Sequence, residues 1–170
     1  MAQKRFIAGY SKAYSRVDFS CGKPELDDWL KTQATQQERS GNTRTFLAVS
    51  VAEHKVVGYY STTTFRIEGD EDSADPGTSR GRYAIPAVLL ARMAVDQAHQ
   101  GQGLGALLLM HAMVEVAKAS TSVGFEALVV HALDGDAAQF YRSHGFDWFG
   151  GGSDLLWITL KDLLASIPTV

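Results

Sequence analysis

Short apolar runs and helical stripes follow one another along the chain in an order that specifies a fold class. Arg5 to Tyr10 reads as a short strand. From Lys23 to Ala34, the residues Leu26, Trp29, Leu30 and Ala34 recur at helical spacing and make one apolar stripe. Pro24 suits the first turn of that helix, where a missing N–H costs nothing, and Glu25, Asp27 and Asp28 suit its positive end. Gln33, Gln36, Gln37, Glu38 and Arg39 carry the helix on as an exposed side, and Ser40-Gly41-Asn42 stops it. Thr45 to Val51 and Val56 to Phe65 are β-branched and aromatic, and Ala52 to Lys55 joins them as an antiparallel hairpin. Residues 68–82 are polar and contain glycine and proline, which predicts a surface loop. Val88 to Val95 and Ala127 to His131 are predicted as buried strands, Leu104 to Ala117 and Asp136 to His144 as helices. Strands around Phe146 to Phe149 and Leu155 to Leu160 close the pattern, and Lys161 to Ile167 is a last amphipathic segment.

A helical N-terminus, a hairpin and then strand–helix–strand–helix–strand predict an α+β fold. Its mixed sheet has six or seven strands flanked by helices on both faces, with a crevice where strand pairing changes. At 170 residues the chain is expected to form a single domain over 1–170.

Charge and cysteine content narrow the function classes. The net charge of −3 is not that of a general nucleic-acid binder. Residues 1–50, however, hold eight Lys/Arg against five Asp/Glu, whereas residues 83–170 hold four against eight. That N-terminal excess suits either a local phosphate-binding patch or ordinary solvated helix faces. The single cysteine, Cys21, excludes an internal disulfide and fits a structural role better than a nucleophilic one. The five histidines lack ligand spacing, so no metal is expected, and His99 and His144 are expected to be solvated and without a role. No apolar run is long enough for a membrane span and the start lacks a signal core, which predicts a cytoplasmic protein that does not bind membranes.

The strongest chemical signal is Leu90 to Gly105, where a strand runs into Gly101, Gly103 and Gly105 and then into an apolar helix. Backbone N–H groups converge at such a turn and the helix dipole favours an anion, so a phosphate-bearing ligand is expected. A dinucleotide fingerprint fits poorly. Glu126 precedes its strand instead of ending it, and too little chain follows for a doubly wound domain. A P-loop is excluded because no Gly-Lys-Ser/Thr follows.

Gln100-x-x-Gly103-x-Gly105 resembles the Q/R-x-x-G-x-G/A signature of the Gcn5-related (GNAT) N-acetyltransferases, which cradles the pyrophosphate of acetyl-CoA. In that family the preceding strand, here Arg92 to Val95, offers backbone groups to the pantetheine arm and the thioester carbonyl, as an oxyanion hole does. The resemblance implies a cofactor-binding set of Met93, Ala94, Val95, Gln100, Gly101, Gln102, Gly103, Leu104, Gly105, Ala106 and Phe140. Ala137 to Phe146 resembles a second GNAT motif, A-x-x-F-Y-x-x-x-G-F, and places Tyr141 at the family's tyrosine. The implied role of Tyr141 is catalytic: it protonates, or hydrogen-bonds, the departing CoA sulfur. A core aromatic beside Phe140 and Phe146 is the plainer alternative.

Cys21 to Leu30 and Val88 to Asp96 resemble segments of the TacT/AtaT-like GNAT toxins. Those enzymes acetylate the α-amino group of aminoacyl-tRNA and stop translation, and a ribbon-helix-helix antitoxin neutralises them. The resemblance implies that partner, a homodimer, and tRNA contacts through Lys31, Arg39, Arg44, Arg92 and Arg142. Lys31 and Arg39 equally suit a solvated helix face. Arg92 lies inside an apolar strand and therefore needs a partner or a ligand. Two other readings stay open, a GNAT enzyme for a small amine or protein N-terminus and a CoA-binding module without turnover. The five acidic residues within 68–75 favour the first of them.

Overall fold

The computed structural model describes residues 3–68, 84–150 and 154–168, so most of the loop predicted over 68–82, with its acidic cluster, lies outside the described residues. In chain order the elements are β1 (Arg5–Gly9), α1 (Pro24–Thr32), α2 (Ala34–Ser40), β2 (Arg44–Ser50), β3 (Val56–Ile67) and β4 (Ile85–Val95). They continue with α3 (Leu104–Ala119), β5 (Ala127–His131), α4 (Gly135–Ser143), β6 (Asp147–Trp148), β7 (Leu155–Thr159) and α5 (Leu160–Ser166). The strands form one mixed seven-stranded sheet in the order β1-β2-β3-β4-β5-β7-β6. β1, β2 and β3 pair antiparallel, β4 and β5 parallel, and β7 antiparallel to both β5 and β6. The α+β class and the upper strand count of the sequence reading are therefore correct.

The chain divides into two compact units, the first comprising Met1–Thr63 and Ala91–Ala112. Its core is Phe19, Trp29, Leu30, Ala34, Leu47, Val49, Val56, Tyr59 and Ala94. Apolar residues of α1 and α2 contribute to it, with the alternate residues Leu47 and Val49 of β2 and with Val56 and Tyr59 of β3, which lie either side of a register shift. The helix predicted from Lys23 onward breaks at Gln33, whose φ of −119° and ψ of −26° separate α1 from α2. At the break, Arg16 Nη1 donates to Leu30 O at 3.0 Å, a carbonyl at the end of α1. Gly41 ends α2 in the left-handed region at φ +80°, at the stop the sequence indicates. Gly58 on β3 allows a close approach. A Cβ there would lie 3.1 Å from Leu108 Cδ1 and 3.3 Å from Ala94 O, so the start of α3 and the end of β4 are both seated against this point.

The second unit comprises Thr64–Leu90 and Met113–Val170. Ile67, Ile85, Ala87, Ala127, Val129, Phe149 and Leu155 form its core. Parallel β4 and β5 register Ala87 with Ala127 and Leu89 with Val129. Asp134 caps α4 by accepting Ala137 N–H at 2.8 Å, and Gly145, at φ +98°, turns the chain beyond that helix. The predicted strand at Phe146 to Phe149 reduces to the two residues of β6.

Candidate active site

In the first unit, β4 ends at Val95 and the chain crosses to α3 through a turn whose side chains point back into the protein. Asp96 accepts Ala98 N–H at 3.0 Å through Oδ1 and Ser20 N–H at 3.0 Å through Oδ2. Gln97 N–H donates to Ser20 O at 2.8 Å. Gln100 Nε2 donates to Val95 O at 2.8 Å and to Cys21 O at 3.0 Å. Gln102 Nε2 reaches Ala98 O at 3.4 Å, while its Oε1 accepts from Arg5 Nη2. With these side chains engaged, the open face of the turn is main chain.

Two of the three glycines give that face its shape. Gly101 and Gly103 adopt φ of +75° and +80°, and a Cβ built on either would meet no atom within 4 Å. The main chain there is unobstructed, and the first turn of α3 adds N–H groups without intrahelical acceptors. Such a cradle fits a pyrophosphate, and the positive end of the α3 dipole favours its charge. Gln100, expected in the cofactor-binding set, directs its amide onto two carbonyls, so its side chain shapes the turn. Leu104 is buried, Gly105 and Ala106 open α3, and Met93, Ala94 and Val95 close β4.

His99 corrects an expectation. It is not solvated. Its exposure is 5%, and Arg5 from β1 donates to its Nδ1, with Nη2 at 3.0 Å and Nε at 3.3 Å. Arginine has no acceptor atom, so Nδ1 must be the unprotonated nitrogen of the ring. Burial and the Arg5 charge hold the His99 pKa below its ordinary value.

Arg92 has a partner that spacing alone did not identify. Its Cζ lies 4.2 Å from the centroid of the Trp29 ring, which in turn stacks on Tyr59 at 5.9 Å and 8°. Burial lowers the Arg92 pKa, and among the described residues no side-chain or backbone oxygen accepts from its guanidinium. A guanidinium over an indole face can still present N–H groups to a planar or phosphate acceptor. Cys21 is pushed up to about 11 by burial and by Asp27, which keeps it a thiol and fits the structural role expected of it.

The other expected tRNA-contacting cations divide. Lys31 and Arg39 are exposed without an acidic partner among the described residues, while Arg44 reaches Glu38 Oε1 at 3.6 Å. Lys31 also lines a cleft of about 370 Å³ with Lys12, Tyr14, Ser15, Arg16 and Val17. Lys12 and Arg16 were missed in the sequence because they lie in a loop without periodicity. Arg142 belongs to the second unit, exposed in the last turn of α4.

In that unit, Tyr141 sits on α4 between aromatic neighbours, with ring centroids 5.2 Å from Phe140 and 5.7 Å from Phe146. Its exposure is 7%, and burial pushes its pKa up to about 12. The packing matches the plainer sequence reading of Tyr141, and the catalytic role stays a proposal. The ring is a packed aromatic, yet the hydroxyl has no hydrogen-bond partner among the described residues. His144 Nδ1 lies 2.8 Å from Phe140 O. Among the described residues no cluster of three or more His, Cys, Asp or Glu is placed to hold a metal, and no helix is long and apolar enough to cross a membrane.

A strand, a bare glycine turn and a helix N-terminus within the first unit form the phosphate-binding part of an acetyl-CoA-dependent acyltransferase class. Residues 43–147 match the family model described as an acetyltransferase (GNAT) domain, and the chain belongs to the GNAT acetyltransferase family. Within that family it is 36% identical over 160 residues to the tRNA-acetylating toxin of Mycobacterium tuberculosis (strain ATCC 25618 / H37Rv), covering 92% of this chain and 93% of that protein. The solved structure of AtaT complexed with acetyl-methionyl-tRNAfMet is similar at TM-score 0.84 and 32% identity, covering 95% of this chain and 98% of that one. A Tyr-to-Phe mutant of AtaT bound to the C-terminus of the antitoxin AtaR and acetyl-CoA is similar at TM-score 0.78 and 31% identity, covering 95% and 96%.

Proposed function

We propose that this enzyme transfers the acetyl group of acetyl-CoA to the α-amino group of aminoacyl-tRNA and thereby stops translation. The observation that carries this reading is the near end-to-end similarity to a tRNA-acetylating toxin. Acetyl-CoA supplies an activated acyl group as a thioester. The glycine turn at Gly101 and Gly103 and the start of α3 hold its pyrophosphate, and Met93 to Val95 present main chain to its pantetheine arm. Tyr141 keeps its proton and donates a hydrogen bond to the leaving sulfur. Arg92, with Lys31, Arg39, Arg44 and Arg142, serves the acceptor.

Amine chemistry favours the same acceptor. At pH 7.5 an α-amine of pKa about 7.8 is about one-third neutral, whereas a lysine amine of pKa about 10.4 is neutral to about 0.1%. An α-amine therefore needs no strong general base, and the site reading assigns none. The AtaT complex with AtaR supports an antitoxin partner. The resemblance to that toxin branch supports a ribbon-helix-helix class for the antitoxin, a homodimer and a cytoplasmic location.

A bacterial cell-free translation reaction tests the proposal. Purified protein with acetyl-CoA should halt synthesis, the same protein with CoA alone should not, and fresh charged tRNA added once the enzyme has been removed should restore it. Synthesis that continues while acetyl-CoA is consumed would move the acceptor to a small amine or a protein N-terminus.

A further inference from the structure

The turn that cradles the pyrophosphate is tied down from outside its own motif. Its fold-back contacts run to the segment Ser20 to Cys21 through Asp96, Gln97 and Gln100. Its remaining two polar side chains, His99 and Gln102, both meet a single guanidinium, that of Arg5 on β1, ninety-four and ninety-seven positions earlier. Arg5 lies within five residues of the start and in no acetyltransferase signature.

We propose that Arg5 is a positioning residue for acetyl-CoA: its guanidinium clamps both ends of the His99–Gln102 segment and so holds Gly101 and Gly103 in the conformation that receives the pyrophosphate. Gly101 lies between the two clamped side chains, and Gly103 follows the second directly. Unclamped, two glycines in succession around Gln102 leave the segment free to sample many backbone conformations, and binding must then restrict them. The clamp lowers that cost by preorganisation. The inference rests on the turn binding acetyl-CoA.

The clamp has a chemical signature. Arg5 can donate to His99 only while Nδ1 is unprotonated. A protonated ring would turn a donor and a second positive charge toward the guanidinium, and the hydrogen bond would be lost. The charged groups around His99 are Arg5 from β1, Asp96 from the turn itself, and Glu53 and Lys55 from the β2–β3 connection. Glu53 and Lys55 pair with each other at 2.6 Å and largely cancel, and Asp96 favours the protonated ring while Arg5 opposes it. Affinity for acetyl-CoA therefore decreases as pH falls below the ordinary histidine range, beyond the decrease due to the ligand's own phosphate monoester, which titrates near about 6.

The test is calorimetric titration of the full chain with acetyl-CoA from pH 5.5 to 8, using wild type, Arg5→Ala, Arg5→Lys and His99→Gln, with thermal denaturation alongside. At pH 7.5, Arg5→Ala is expected to raise Kd about tenfold, in line with losing charge-assisted hydrogen bonds, and Arg5→Lys to recover part of that loss. His99→Gln still offers an acceptor but cannot titrate, so its Kd should change with pH only as the ligand does, and the wild-type to variant ratio should grow toward pH 5.5. In steady state the Arg5→Ala defect should lie in KM for acetyl-CoA, with kcat at saturation within about twofold. An Arg5→Ala Kd within twofold of wild type, or a wild-type to His99→Gln ratio constant across pH, would overturn the proposal. Should Arg5→Ala not fold, Arg5→Lys and His99→Gln decide it. A wild type that binds no acetyl-CoA would instead remove the reading of the turn itself.

Discussion

Tyr141→Phe lowers kcat for acetyl transfer by about a hundred- to a thousandfold while leaving the fold and the acetyl-CoA affinity nearly unchanged. The ring packs between Phe140 and Phe146, and phenylalanine keeps all of that packing. The hydroxyl has no protein partner among the described residues, so its removal strands no buried donor or acceptor and costs little stability. What is lost is a single hydrogen bond to the leaving sulfur, and removal of one well-placed transition-state donor is typically worth that range. The raised pKa also decides the form of the catalysis. A phenol pushed up to about 12 stays protonated at any working pH. Passing its proton fully to the CoA thiolate, a weaker base than such a phenolate, would be uphill. The proposed role of Tyr141 is accordingly that of a hydrogen-bond donor, with the thiolate taking its proton later. Accordingly, kcat should show no alkaline decline below pH 9 attributable to this residue. A mutant within threefold of wild type, or one that loses its melting transition, would contradict the assignment.

Gly103→Val is expected to abolish measurable acetyl-CoA binding, raising Kd by at least about a hundredfold, in a protein that still folds. The φ of +80° places residue 103 in the left-handed region, where an L side chain costs about 1–2 kcal/mol and a β-branched one more. A Cβ built at residue 103 meets no atom within 4 Å, so the substitution starts into open space in the free protein. It occupies the space that a phosphate oxygen needs to reach the main chain. The combination separates the two effects. Thermal denaturation should show a modest loss of a few degrees, and calorimetry should show loss of the binding heat. Binding retained within about fivefold would mean that the pyrophosphate lies elsewhere.

The parts of this molecule that could be read from the chain were those encoded by local pattern. Gly101 and Gly103 between a β-branched strand and an apolar helix can hardly be anything but a turn, and the motif around Tyr141 lies within one helix and its cap. The elements that were misjudged depend on contacts between residues distant in sequence. At the break at Gln33, Arg16 donates to the Leu30 carbonyl, and nothing within residues 23–40 announces that contact. His99 lies in a polar stretch that reads as solvent-facing, and its burial follows from Arg5 at the other end of the unit. Arg92 declared its need for a partner because a charge inside an apolar strand always does, yet the partner was the face of Trp29, an aromatic already assigned to a helical stripe. Lys12 and Arg16 carried no periodicity at all, and only the fold brings them beside Lys31.

The acceptor proposed for this enzyme is the α-amine of an amino acid esterified to tRNA. It is tested most directly by incubating the enzyme with isotopically labelled acetyl-CoA and charged tRNA, cleaving the aminoacyl ester with mild base, and identifying the released product by mass spectrometry. An N-acetyl amino acid bearing the label on its α-nitrogen is expected, with none from uncharged tRNA. Label recovered instead on protein N-termini, on free amines or on the tRNA after ester cleavage would contradict it.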